Sequence, residues 1–210
     1  MTKIKLCGLT RPEDIEAVNA LRAEFGSPDY TGFVFAKKSR RYVSPETASL
    51  LRSRLDPRVV TVGVFVREPV ESVADLYRSG IIGAAQLHGG EDAAYIEALR
   101  ALVPDCPLIH AFRVDSAADV ARANRSPADF VLVDHGAGGT GTAFDWTLLD
   151  GMTRPYFLAG GLSPDTVGEA IRSLHPYAAD VSSGIETDGA KDAEKMRRFV
   201  MAAAGRQDPI

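Results

Sequence analysis

Val59-Val60-Thr61-Val62-Gly63-Val64-Phe65-Val66 is the stretch that decides the fold. It is almost continuously apolar and β-branched. A strand with one wet face alternates polar and apolar residues. A run without alternation reads as a strand buried on both faces, as in a parallel sheet. Seven more runs of this kind flank it, at residues 3–7, 30–35, 83–87, 108–112, 130–133, 156–158 and 177–181. Helix-like segments separate them. Thr10-Arg11-Pro12-Glu13-Asp14 offers Thr10 or Arg11 as a helix start, with Pro12 in the first turn and acids behind it. Ser44-Pro45-Glu46 and Ser163-Pro164-Asp165 repeat that grammar of cap hydroxyl, proline and dipole-favoured acid. After Ser44, residues Ala48, Leu51 and Leu55 fall at helical spacing and predict an inward stripe.

Eight strand–helix units in 210 residues leave about 26 residues per unit. That is compact but near the lower limit of ~200 residues for the (β/α)8 barrel. The competing doubly wound sheet has five or six strands and often a Gly-rich dinucleotide fingerprint in its first turn. Here that turn is Cys7-Gly8-Leu9-Thr10, without the fingerprint. The pattern therefore predicts an α/β chain forming a single-domain (β/α)8 barrel over 1–204, with a tail at 205–210.

Composition narrows the function. Apolar residues make up 45% and charged residues 25%, ordinary values for a globular chain, which excludes a disordered or collagen-like one. No apolar stretch is long enough to span a membrane, and the first residues lack a signal-peptide core. Two cysteines, Cys7 and Cys106, are too few for a disulfide framework and suit a cytoplasmic chain. A net charge of −4 argues against nucleic acid as a partner. The four histidines and two cysteines show no metal-ligand spacing, so no metal is expected.

Barrel enzymes place their chemistry at the C-terminal ends of the strands. Ten of the 19 glycines fall in those segments and their continuations, at 8, 89, 90, 136, 138, 139, 141, 160, 161 and 184. Gly160-Gly161 after the seventh run and Ser182-Ser183-Gly184 after the eighth stand at the fold's usual phosphate site. Backbone N–H groups and hydroxyls there can hold a dianion. Gly139 and Gly141, within Gly138-Gly139-Thr140-Gly141, would form a third wall. Each loop alone reads equally as a tight turn; together they predict a small phosphorylated ligand.

Cys7 opens the first loop at the same mouth. A lone cysteine at a strand end is otherwise a small buried apolar residue. Lys5 lies on the same strand face, two residues away, and is positioned to favour the thiolate. A buried Lys5 needs a carboxylate, for which Asp134 and Asp180 are both candidates. Asp134 follows four apolar residues, the form of a carboxylate carried on a rigid strand; a turn or cap role is its bland reading. Cys7 and Asp134, about opposite each other across a barrel, could divide an acid–base isomerisation. Arg41 ends the basic run 37–41, either a solvated face or a clamp for a substrate carboxylate. His88 either orients a ligand or satisfies a turn. His110 and His175 read as structural.

Lys5-Leu6-Cys7-Gly8-Leu9-Thr10 resembles the opening signature of the phosphoribosylanthranilate isomerase family. The resemblance continues through Gly32-Phe33-Val34-Phe35, Ser39-Arg40-Arg41-Tyr42-Val43-Ser44-Pro45-Glu46 and Gln86-Leu87-His88-Gly89. It goes on through Gly138-Gly139-Thr140-Gly141, Leu158-Ala159-Gly160-Gly161-Leu162 and Asp180-Val181-Ser182-Ser183-Gly184-Ile185-Glu186, and covers about residues 3 to 200. It implies the Amadori rearrangement of N-(5′-phosphoribosyl)anthranilate in tryptophan biosynthesis, without a cofactor. It also implies Asp134 as the acid that opens the ribose ring, Cys7 as the base at C2′, and Arg41 facing the anthranilate. The expected state is a monomer or weak homodimer with no membrane partner. Arg67 stands where the family commonly has Asn, and Thr142 where it often has Lys. A Schiff-base aldolase using Lys5 and a non-catalytic phosphate-ligand binder are the competing functions.

Overall fold

A computed structural model describes residues 1–134 and 146–206 of the chain. Eight parallel strands close into a barrel in chain order. They are β1 (Lys3–Cys7), β2 (Tyr30–Val34), β3 (Val60–Phe65), β4 (Ala84–Leu87), β5 (Leu108–Arg113), β6 (Phe130–Asp134), β7 (Tyr156–Ala159) and β8 (Ala178–Val181). All eight expected runs are strands, with ends shifted by one residue in most. The circle closes where β1 pairs with β8, in the register Lys3↔Ala178 and Lys5↔Asp180. Residues 61–65 of the stretch 59–66 are buried on both faces for the predicted reason, whereas Val60 and Val66 near its ends are exposed. Val62 lies in the barrel lumen with Ala84, Ile109, Leu132 and Phe157, whereas Phe65 packs outward into the core beneath the helices. Burying each such side chain stabilises the fold by roughly 1.5–3 kcal/mol.

Helices α1 (Pro12–Phe25), α2 (Pro45–Arg54), α3 (Val70–Arg78), α4 (Ala93–Leu102) and α5 (Ala117–Asn124) follow the first five strands. α6 (Val167–Leu174) follows β7 and α7 (Ala193–Ala203) ends the barrel. In the sixth unit the described residues hold a 3₁₀ helix, Trp146–Gly151, in place of the expected α-helix. Arg11 caps α1 and Pro12 is its first residue. The buried Asp14 carboxylate accepts the Thr10 and Arg11 N–H groups, at 2.9 and 3.0 Å. Ser44 caps α2 by accepting from Thr47 N at 3.2 Å, and Ala48, Leu51 and Leu55 are buried as the spacing predicts. α6 starts later than Ser163-Pro164-Asp165 suggests, because a turn comes first. Winding nonetheless begins at Ser163, whose carbonyl accepts the Val167 N–H at 3.0 Å.

Beyond β8, residues 186–191 form a small antiparallel hairpin, β9 (Glu186–Thr187) and β10 (Ala190–Lys191). Asp188 and Gly189 turn it with φ of 50° and 81°, the positive pair that a two-residue hairpin loop demands. Among the described residues no helix is long and apolar enough to cross a membrane.

Candidate active site

The C-terminal ends of the strands surround a cleft of about 510 Å³. Cys7, Arg41, His88 and Asp134 all line it, as do Gly160, Gly161, Ser182 and Ser183. The residues named from the sequence after six of the eight strands thus meet in one place. Gly139, Gly141 and Thr142 lie outside the described residues.

Cys7 ends β1 and is buried. Gly32 on β2 makes room for it, because a Cβ there would stand 2.6 Å from the Cys7 sulfur. Lys5, one layer below on the same face, is fully buried, and its Nζ donates to Asp180 Oδ1 at 2.9 Å. Of the two carboxylates open to Lys5, Asp180 is thus the partner. Burial alone would lower the Lys5 ammonium; Asp180 and the thiol more than offset it and raise it. Such a buried, protonated amine has neither the lone pair nor the access that a Schiff base needs.

The thiol departs from expectation. Burial pushes Cys7 up, and the cations of Lys5 and Lys191 offset this only in part, while Asp180 adds to the rise. Lys5 does favour the thiolate, but less than burial disfavours it.

Arg41 is not a free solvated cation. Its Nε donates to Glu186 Oε1 at 2.6 Å and its Nη2 to Glu186 Oε2 at 2.9 Å. This bidentate pair fixes the plane of the guanidinium. Glu186 also accepts from Arg40 at 2.5 Å and from the buried Lys191 at 2.7 Å. Burial alone would raise the Glu186 carboxyl, but Arg41 and Lys191 outweigh it and hold the group at about 2. Burial also lowers the Lys191 ammonium, with Glu186 opposing. Lys191 reaches back to the Ser182 carbonyl at 2.8 Å, and the Ser182 hydroxyl donates to the Cys7 carbonyl at 3.1 Å. The hairpin therefore braces the thiol-bearing strand end and the arginine together. Glu186 and Lys191 were missed as working residues. The Asp188-Gly189 pair between them, a two-residue hairpin signal, would have placed them opposite each other.

Gly160 and Gly161 turn the chain after β7 with φ of 88° and 70°. Ser183 opens a 3₁₀ turn, Ser183–Ile185. Gly184 does not line the cleft. A Cβ on it would stand 2.0 Å from the Leu162 carbonyl oxygen, so this glycine lets the β7 and β8 loops touch.

His88 and Asp134 face each other, Nε2 to Oδ2, at 3.8 Å. Gln86, one layer lower on β4 and almost wholly buried, lies 3.1 Å from His88 Nδ1. Glu91, also unnoticed in the sequence, accepts the Arg67 and Gly89 N–H groups at 2.7 and 2.8 Å and ties the β3 and β4 loops. His110 stays within β5, bonded to Ser126 and against Phe112, and its imidazole is lowered by burial. His175 caps α6.

A closed parallel barrel with a polar cleft at its C-terminal mouth places the chain among the (β/α)8-barrel enzymes. Residues 4–202 match the family model for N-(5′-phosphoribosyl)anthranilate (PRA) isomerase. The N-(5′-phosphoribosyl)anthranilate isomerase of Endomicrobium trichonymphae is 42% identical over 200 residues, covering 93% of this chain and 95% of that protein. The crystal structure of the Thermus thermophilus phosphoribosyl anthranilate isomerase superposes with a TM-score of 0.84 at 36% identity, covering 97% and 99% of the two chains. Another, solved with reduced 1-(o-carboxyphenylamino)-1-deoxyribulose 5-phosphate, gives 0.80 at 37% identity, covering 98% and 100%. The chain belongs to the N-(5′-phosphoribosyl)anthranilate isomerase family.

Proposed function

We propose that Asp134 and Cys7 divide the two proton transfers by which this isomerase of tryptophan biosynthesis turns N-(5′-phosphoribosyl)anthranilate into its 1-deoxyribulose isomer. The observation that carries this reading is the shared cleft. A thiol and a carboxylate from β1 and β6 open into the space also bounded by Arg41 and the β7 and β8 loops. Asp134 gives a proton to the ribose ring oxygen, and the anilino nitrogen pushes the ring open to an imine. Cys7, as thiolate, removes the C2′ proton, and the resulting enolamine tautomerises to the ketone. Gly160, Gly161, Ser182 and Ser183 bind the phosphate through the anion-accepting backbone of their turns. Arg41, held flat by Glu186, meets the substrate carboxylate.

The second transfer needs Cys7 ionised once the imine has formed. Lys5 and Lys191 are the cations that favour the thiolate once it forms. The catalytic unit is one domain, 1–204. Turnover of freshly prepared phosphoribosylanthranilate tests the scheme. Each of Cys7→Ala and Asp134→Asn is expected to lower kcat by ~10²–10⁴. Unchanged turnover in either variant removes that residue from its role, and an inactive parent removes the function.

A further inference from the structure

Gln86 occupies an odd place. It points from β4 into the mouth of the lumen, is 2% exposed, and stands in register with Val64 on one side and Ile109 on the other. Among the described residues its Oε1 has no hydrogen-bond partner. A buried amide with an orphan carbonyl weakens a fold, and an apolar side chain of the same length would pack at least as well. Stability does not account for a glutamine here.

Its other end gives the reason. Gln86 Nε2 lies 3.1 Å from His88 Nδ1. With its NH₂ placed toward Nδ1, the Gln86 amide can only donate there, which selects the His88 tautomer with a bare Nδ1 and its hydrogen on Nε2. That nitrogen faces Asp134 Oδ2 at 3.8 Å. With the opposite tautomer a lone pair would face the carboxylate instead. The gap exceeds a hydrogen bond, as catalytic contacts often do before substrate closes them.

We propose that Gln86 is a positioning residue that holds His88 as its Nε2–H tautomer, aimed at Asp134. This rests on Asp134 as the acid of the reaction. The imidazole N–H then steadies the carboxylate left after Asp134 releases its proton, and holds its orientation for the next turnover. Gln86 also lines the cleft, and in this role it acts through His88 rather than on a reacting atom.

Two variants and two independent readouts test it. Gln86→Glu replaces the donor by an acceptor and calls for a proton on Nδ1. Gln86→Met removes the bond and keeps the length. Long-range ¹H–¹⁵N spectra of the unliganded protein, with His88 assigned from a His88→Ala spectrum, report the tautomer without reference to turnover. The parent is expected to show a bare Nδ1 and a protonated Nε2, and Gln86→Glu a protonated Nδ1. Gln86→Glu is expected to lower kcat by about 10- to 100-fold, the range that outer partners of site histidines command at metal centres, with KM moving less. Gln86→Met should melt no lower than the parent while losing activity and the single tautomer. A parent His88 protonated on Nδ1, or a Met variant that keeps the parent tautomer, overturns the proposal outright. A switched tautomer with unchanged kcat removes the role for turnover, and loss of Asp134's own role would show separately in Asp134→Asn.

Discussion

Replacing Lys5 by methionine isolates the energetics beneath the thiol. Lys5 is fully buried, and its ammonium stands 2.9 Å from the Asp180 carboxylate, which is itself 8% exposed. Methionine nearly fills the same volume, so cavity effects are small. What remains is a carboxylate in a low-dielectric layer with its cation gone. Breaking a buried pair from one side in this way costs about 3–5 kcal/mol. That is a large part of a typical total stability of ~5–15 kcal/mol. Lys5→Met/Asp180→Asn removes the stranded charge and should recover most of the loss. Urea unfolding followed by circular dichroism at pH 7 measures all three proteins, and equal slopes would show a common unfolded state. The thiol gives a second reading. Lys5 pulls Cys7 down and Asp180 pushes it up. The single variant should therefore move the pH dependence of Cys7 alkylation upward, and the double variant should bring it part-way back. Cys106 is fully buried with its thiol pushed up to about 12, so peptide mapping separates the two cysteines cleanly. A loss below about 1 kcal/mol for Lys5→Met, or a double variant no more stable than the single one, would refute the reasoning.

Three further outcomes are expected. Glu186 is held at about 2 against an ordinary value of 4.5, so its contribution to stability is complete above pH 4.5 and drains as the pH falls toward 2. The shift corresponds to at most about 3 kcal/mol and, screened by cleft water, to about half of that; Glu186→Gln should flatten that part of the acid unfolding curve, and an unchanged curve would contradict the assignment. Gly184→Ala drives a Cβ against the Leu162 carbonyl and should destabilise by ~1–3 kcal/mol, with a matching fall in Tm; a neutral result would show that the two loops part easily. Arg67 sits at φ 52°, a region asparagine tolerates better, so Arg67→Asn should raise stability by up to about 1 kcal/mol in the same urea assay.

The strands were legible because burial on both faces leaves a run such as 59–66 almost wholly apolar, with Thr61 its one polar residue. Cys7, Asp134, Arg41 and His88 were legible as positions because a strand end in a barrel has one address. Their partners were not. The choice between Asp134 and Asp180 for Lys5 depends on the register of β1 against β8, 175 residues apart in the chain. Arg41 looked like surface charge because Glu186 is 145 residues away. Gly184 belonged by type among ligand-binding glycines, yet its missing side chain serves a contact with Leu162. Local pattern carries the element; pairing across the circle is a property of closure.

That closure has a consequence for how the chain reaches its final form. The Lys5–Asp180 pair spans the join of β1 and β8, and the Arg41–Glu186 pair crosses the same join one level higher. A sheet of eight strands still open along that line would hold an ammonium at one free edge and a carboxylate at the other, each half wrapped in apolar side chains and neither neutralised. The Lys5–Asp180 pair therefore favours the closed barrel over any arrangement that buries its two charges apart.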